Sequence, residues 1–326
     1  GSGVKAGITS GGKLFVGKLP EADSGPSTFP DKGARLLLKL QPENDRYSLS
    51  LTAYDAQSGE ELGTALGQAD PKQLPGNIAL VNNFGQPGWR RPSKEKGNSP
   101  PPPTRGLFWF SDWRVSGSKL AADESHAFGP ILYAQHSLSR NVMKMTAQMP
   151  PMGEKEEKEV RLQIKKTNEG NWETIGKADI DRLSCTAAFR IENWDSARNT
   201  PYRLVYNMTD GDGRKTEHQF SGTVRKDPID RDTLVVAGFT GNTDAGFPNE
   251  VLARNVATHD PDVLLFTGDQ IYEGVGGYGI HRKPVGLACL NYLRKIYLWG
   301  WAFREVMRDR VTLTLADDHD VYQGNI

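Results

Sequence analysis

The sequence predicts a multidomain chain, all-β over its first two thirds and α/β over its last third. Three observations carry this. Up to about residue 225, apolar residues fall in short runs, several alternating with period two, separated by Gly, Pro, Asn and Asp. Beyond residue 233 the apolar runs become continuous, and a stretch with helical spacing lies between two of them, the signature of a buried parallel sheet. The length, 326 residues, suits two or three domains.

Composition excludes several classes. Hydrophobic residues make up 37% and charged residues 25%, enough apolar matter for real cores and against wholesale disorder. The 40 Lys and Arg balance the 40 Asp and Glu, so there is no global attraction for nucleic acid or anionic membrane, and no nucleic-acid partner is expected. No apolar run approaches the roughly 20 residues of a membrane helix, so no transmembrane segment is expected. Two cysteines, Cys185 and Cys289, exclude a cysteine-built zinc site and a dense disulfide framework, and leave room for one bridge. Gly1-Ser2-Gly3 reads as a tag remnant, a processed end or a fragment edge, with no signal peptide.

The first domain is placed at 1–125. Residues 35–40 and 47–54 are strand-like, the second with clear alternation. Residues 76–81 and the aromatic run 106–115 complete the expected strands. Between them, 90–104 contains Pro100 to Pro103 and reads as a surface loop. The second domain is placed at 134–228, a β-sandwich with strands near 141–147, 159–166, 187–191, 200–208 and 215–224. Asn207-Met208-Thr209 fits a glycosylation sequon. The third domain is placed at 233–326. Residues 234–239, 262–267 and 311–316 are its strands, 250–259 its first helix with Asn249 as cap, and 287–307 one or two further helices.

Two acidic clusters stand just past apolar strands, the edge at which open α/β sheets bind ligands. They are Gly268-Asp269-Gln270-Ile271-Tyr272-Glu273 and Asp317-Asp318-His319-Asp320. A carboxylate at a strand end is aimed by rigid backbone, and carboxylates with imidazole suit hard or borderline cations. Gly268 leaves room for an ion beside the backbone. A single such acid is commonly a helix cap. Three carboxylates around one His are harder to explain that way, because burying so much like charge without a cation is costly.

Each domain resembles a known family. Residues 1–120 resemble a concanavalin A-like jelly roll, on residues 76–81 and on Phe108-Trp109-Phe110-Ser111-Asp112-Trp113-Arg114-Val115-Ser116-Gly117. The module would be incomplete at its N-terminus. Arg203-Leu204-Val205-Tyr206 and Gln219-Phe220-Ser221-Gly222-Thr223-Val224 resemble the last hairpin of a fibronectin III-like domain. Residues 234–326 resemble the PhoD-like (alkaline phosphatase D) metallophosphatases of the calcineurin-like phosphoesterase superfamily. The carrying residues are Thr267 to Glu273 and Ala316-Asp317-Asp318-His319-Asp320-Val321-Tyr322.

That resemblance implies the first half of an α/β/β/α sandwich and a metal-dependent phosphoric ester hydrolase, phosphatase or phosphodiesterase, using metal-activated hydroxide. It implies two metal ions, both divalent or Fe3+ with Ca2+ or another divalent ion. Asp269 would bridge them, Tyr272 and Asp318 would be further metal ligands, and His319 would be catalytic at the phosphate and leaving group. The roles of Asp317 and Asp320 stay open. The substrate would be a phosphate ester, and the setting secreted, periplasmic or cell-surface.

The sequence departs from the family in two places. The first-strand motif lacks its usual acid or Cys, with Asn242 and Asp244 as candidate substitutes. The His ligands of the second half of the domain have no counterpart before Ile326, so the chain reads as part of a longer enzyme, inactive alone. His126 and His136 are placed in an interdomain stretch and His218 in a strand. His259 ends a helix. His281, Arg282 and Lys283 belong to a loop that either contacts an anionic substrate or is simply solvated. The alternative function is a carbohydrate- or surface-binding protein with a non-catalytic phosphoesterase remnant, its glycan or surface ligand on the N-terminal module, where Trp109 and Trp113 are either a sugar platform or, as is commoner in a jelly roll, core residues.

Overall fold

The computed structural model describes residues 3–9, 11–18, 33–76, 78–81, 110–121, 129–153, 156–167, 169–209, 213–242, 246–274 and 280–322. The protein is mostly β, with several sheets, one of them mixed and accompanied by two helices. The described residues form two units, one ending at Phe110 and one beginning at Ser111.

In the first unit β1 (Ala6–Ile8) and β2 (Leu14–Val16) form an antiparallel pair. β3 (Ala34–Glu43), β4 (Arg46–Asp55) and β5 (Glu61–Ala69) form an antiparallel sheet with β4 in the middle. Leu49, Leu51 and Ala53 alternate along β4 and are buried on one face. β2 closes on that face over Gly67, where a Cβ would stand 2.6 Å from Val16 Cγ1. Asn44, in the left-handed region, turns β3 into β4, and Asp55 Oδ1 accepts the N–H groups of Gln57 and Ser58 to turn β4 into β5.

The two strands that suggested a jelly roll are not found among the described residues. Ile78, Leu80 and Val81 carry no strand and are exposed, as are Phe110, Trp113 and Val115. Asp112 sits in the left-handed region, which breaks the extended, period-two course of the run there, and its exposed carboxylate pairs with Arg114 at 2.7 Å. Asn77, Trp109 and Pro100 to Pro103 lie outside the described residues.

The second unit holds two larger sheets. β6 (Tyr133–Ser139), β7 (Val142–Gln148) and β10 (Thr186–Ile191) pair antiparallel and face the sheet of β8 (Glu159–Lys165), β9 (Trp172–Asp179), β11 (Thr200–Thr209) and β12 (Lys215–Val224). Alternate residues from both, including Met143, Met145, Leu162, Leu204 and Tyr206, form a dry core. β13 (Val236–Phe239), β14 (Val263–Phe266) and β15 (Val311–Thr314) are parallel, as their continuous apolar runs predict. The strands expected in separate domains share one six-stranded sheet, in the order β10-β7-β6-β15-β14-β13. The junction is one parallel pair, Val311 opposite His136.

Helix α1 (Glu250–Thr258) joins β13 to β14, and α2 (Val285–Met307) joins β14 to β15 as a single helix. In α2, Trp299, Phe303, Val306 and Met307 recur at helical spacing and bury against Phe239, Leu264 and Phe266. The Phe239 and Phe266 rings stack at 4.4 Å, with Phe303 edge-on to both at 5.3 Å. The end of α2 is tied to the sandwich, where Tyr202 Oη donates to the Arg308 carbonyl at 2.9 Å and the Thr223 N–H donates to Asp309 Oδ1 at 2.7 Å.

Two smaller expectations are corrected. Asn249 stands at the N-cap of α1 but in the left-handed region, and its side chain makes no cap bond. His136 lies within β6 and is buried, not in a linker. Both cysteines are free.

Candidate metal centre

The strand order brings the two acidic clusters together. β14 and β15 are hydrogen-bonded neighbours running in the same direction, so the loops after Phe266 and Thr314 emerge side by side. Asp269, Asp318 and His319 each place one donor atom within 4.8 Å of the others, and all three are half-buried. The loops touch at Gly268, where a Cβ would stand 2.5 Å from Asp317 Cβ. The room this glycine leaves is taken by Asp317, rather than kept for an ion as the sequence suggested. Gly268 and Asp269 both have positive φ, 115° and 53°, so the chain turns sharply as it leaves β14.

Asp320 holds that turn. Its buried carboxylate accepts the N–H groups of Asp269 at 2.7 Å, Gln270 at 2.9 Å, Ile271 at 3.3 Å and Asp317 at 3.0 Å. Four backbone donors from two loops thus converge on one side chain. Burial raises its pKa, and the same donors oppose the shift.

Tyr272 and Glu273 complete the surroundings. The Tyr272 hydroxyl donates to Asp269 Oδ2 at 3.1 Å. Burial, then the bond to Asp269 and its charge, raise the phenol pKa, so the hydroxyl remains a proton donor when no cation competes. Glu273 Oε2 lies 2.5 Å from His319 Nδ1, and the Tyr272 ring leans on the imidazole at 4.6 Å. The bond to Glu273 is the largest cause of a raised His319 pKa, with desolvation opposing it.

The residues present fit a cation. Among the described residues, Asp269 Oδ1 is buried without a hydrogen-bond partner, while Oδ2 accepts from the Tyr272 hydroxyl. A buried, unpaired carboxylate oxygen beside a second carboxylate suits a hard or borderline metal ion, and the imidazole next to them is held by Glu273. Of the two first-strand candidates, Asn242 lines a small pocket with Gln270 and Tyr272, its Nδ2 buried without a partner among the described residues. Asp244 lies outside them.

Asp269, Tyr272, Asp318 and His319, singled out from sequence, are therefore brought together. Sequence reasoning missed Glu273 as the partner of His319 and Asp320 as the anchor of both loops. The positions of both acids within the motifs were visible, but nothing in the spacing told which atoms they would reach. Arg282 is used structurally, with Nε and Nη2 donating to the Tyr322 carbonyl at 3.2 and 2.7 Å.

Fold and site together define a multi-sheet β protein whose mixed sheet carries a strand-end group of two carboxylates and an imidazole. No known protein-family model matches the sequence, and no curated protein matches it. Among solved structures, a β-glycosidase from Bacteroides vulgatus is similar at 10% identity and a TM-score of 0.25, over 57% of this chain. The match spans 29% of that protein, less than a third of its length. At this TM-score the likeness carries no argument. No helix among the described residues is long and apolar enough to cross a membrane.

Proposed function

We propose that the chain carries the metal-binding edge of a metal-dependent phosphoric ester hydrolase of the PhoD-like type. The observation that carries the reading is the convergence of Asp269, Asp318 and His319 from two neighbouring strand ends, with an unpartnered Asp269 oxygen among them. Asp269 and Asp318 would hold the cation, with the Tyr272 hydroxyl beside Asp269 as a further donor. A bound divalent cation supplies Lewis acidity, neutralising phosphoryl charge and acidifying water. The first-strand and second-half ligands of a two-ion site would come from Asn242 or Asp244 and from residues beyond the cluster.

His319 handles the proton. Its Nδ1–H is committed to Glu273, so Nε2 is the nitrogen left to hold a proton for the leaving-group oxygen. Glu273 favours the imidazolium, the form that can donate it. Asp320 keeps Asp269 and its neighbours in place without touching substrate. An exported setting belongs to this reading.

The test is calorimetric, on the full chain. Mn2+ should bind saturably and weaken at least about tenfold in Asp269→Asn and Asp318→Asn, while His319→Ala retains it. Inorganic phosphate should then bind only when Mn2+ is present. Equal Mn2+ affinity in wild type and both Asn variants, or phosphate binding indifferent to the cation, overturns the reading.

A further inference from the structure

The edge that carries the metal-binding loops also carries an uncovered apolar helix end. α2 crosses over between two parallel strands, so it starts at the edge where β14 stops. Its first six residues, Val285-Gly286-Leu287-Ala288-Cys289-Leu290, are all apolar. Val285 is 64% exposed, Leu287 39% and Leu290 50%. At 3.6 residues per turn, Val285 and Leu287 point to nearly opposite sides of the helix, so this end is bare on both. A helix that is apolar all round belongs in a core or in a bilayer.

Charge selects what covers it. The chain as a whole is neutral, but from Gly274 to Arg304 it has five Lys and Arg and no Asp or Glu. Two of these, Arg282 and Lys283, are exposed on the loop that leads into Val285. Arg282 is fixed there by its two bonds to the Tyr322 carbonyl. In the metal centre Asp320 is buried, Asp269, Glu273 and Asp318 are half-buried, and Asp317 is the exposed acid. A second copy of the chain, docked through the same patch, would set like charge against like. A peptide groove would cover one side of the helix and leave the other bare. An anionic bilayer surface covers both sides and matches the charge.

We infer that the start of α2 docks into the surface of an anionic lipid membrane. Val285, Leu287 and Leu290 enter the boundary between headgroups and acyl chains, and Arg282 and Lys283 meet the lipid phosphates. The helix lies at the interface and does not cross it, since no helix among the described residues is long and apolar enough to span a bilayer. Docking in this way turns the strand-end edge of the mixed sheet toward the membrane. The inference is independent of the phosphoesterase reading, because none of the docking residues belongs to the group of Asp269, Asp318 and His319.

The test is vesicle sedimentation of the full chain in EDTA, which excludes bridging by metal ions. The probes are vesicles of phosphatidylcholine alone and of an equimolar mixture with phosphatidylglycerol. The expected result is partitioning onto the mixed vesicles about tenfold or more above that onto phosphatidylcholine, weakening as salt is raised. Lys283→Gln should lower it about fivefold, the effect of one charge at the surface. Leu287→Gln and Leu290→Gln should each lower it about fivefold through lost apolar burial. All three positions are exposed, and circular dichroism checks that the variants fold. Equal binding to both kinds of vesicle, binding to neither, or binding untouched by the folded leucine variants overturns the inference.

Discussion

Glu273 Oε2 lies 2.5 Å from His319 Nδ1, joining the loop after β14 to the loop after β15 through the one imidazole of the acidic cluster. The glutamate side chain is 12% exposed and that of His319 34%, so the pair is shielded on the acid's side and open on the other. This contact fixes the ring and favours its charged form.

Glu273→Gln should therefore lower the His319 pKa toward its ordinary value near 6.5. A pH titration of the His319 ring proton by NMR, in metal-free protein, reads the shift. The imidazolium is then populated over a narrower range, and its loss begins at lower pH than in wild type. An unchanged midpoint would remove Glu273 from its assigned role.

Asp320→Asn should destabilise the protein by about 3 kcal/mol, since a neutral amide replaces an anionic acceptor shared by four backbone donors. Urea unfolding measures the loss. Mn2+ affinity should fall in the same variant although Asp320 does not belong to the donor group, because the Asp269 turn loses its anchor. A variant of wild-type stability would show that the four bonds add nothing.

His136 makes stability depend on pH. It is buried in β6 with neither ring nitrogen partnered among the described residues, and burial lowers its pKa from 6.5 to about 4. The folded state holds it neutral, whereas the unfolded chain protonates it below pH 6.5. Its contribution is complete above pH 6.5 and is lost as pH falls toward 4, about 3 kcal/mol in all. The difference in unfolding free energy between wild type and His136→Leu, followed from pH 7 to pH 4, should grow by that amount. A flat difference would show that His136 does not titrate this way.

Gly300→Ala should destabilise despite the better helix propensity of Ala. A Cβ at Gly300 would stand 2.0 Å from Tyr133 Cε1 and 2.3 Å from Cδ1. The gain of about 1 kcal/mol from propensity is outweighed by overpacking, for a net loss of about 2 kcal/mol. Thermal unfolding checks it, and Gly300→Ala with Tyr133→Leu should recover part of the loss.

Local pattern made much of this architecture legible. The strands 215–224 and 311–314, the helix from Glu250 and the aromatic-rich helix through Met307 follow from alternation, continuous apolar runs and helical spacing. The four site residues were legible because strand-end position aims a side chain whatever the rest of the fold. What could not be read was pairing. Nothing in the residues around Val311 tells that they meet His136, since sheet order depends on packing between distant segments. The aromatic run near Trp113 misled because Asp112 takes the left-handed region and interrupts the extended backbone that alternation implies. Glu273 and Asp320 looked like two more acids in acid-rich motifs, and only the folded loops separate their roles.

The junction of the six-stranded sheet has a mechanical consequence. The ladder has four pairs between β14 and β15 and seven between β6 and β7, but a single pair between β15 and β6. The sheet is two leaves sharing one stitch. Both metal-binding loops belong to the same leaf, so the backbone ladder passes almost no strain to them from the sandwich. The leaves are joined further by α2, whose Gly300 lies against the Tyr133 ring, by the Arg308–Asp309 corner on β11 and β12 and by the Arg225–Asp260 ion pair.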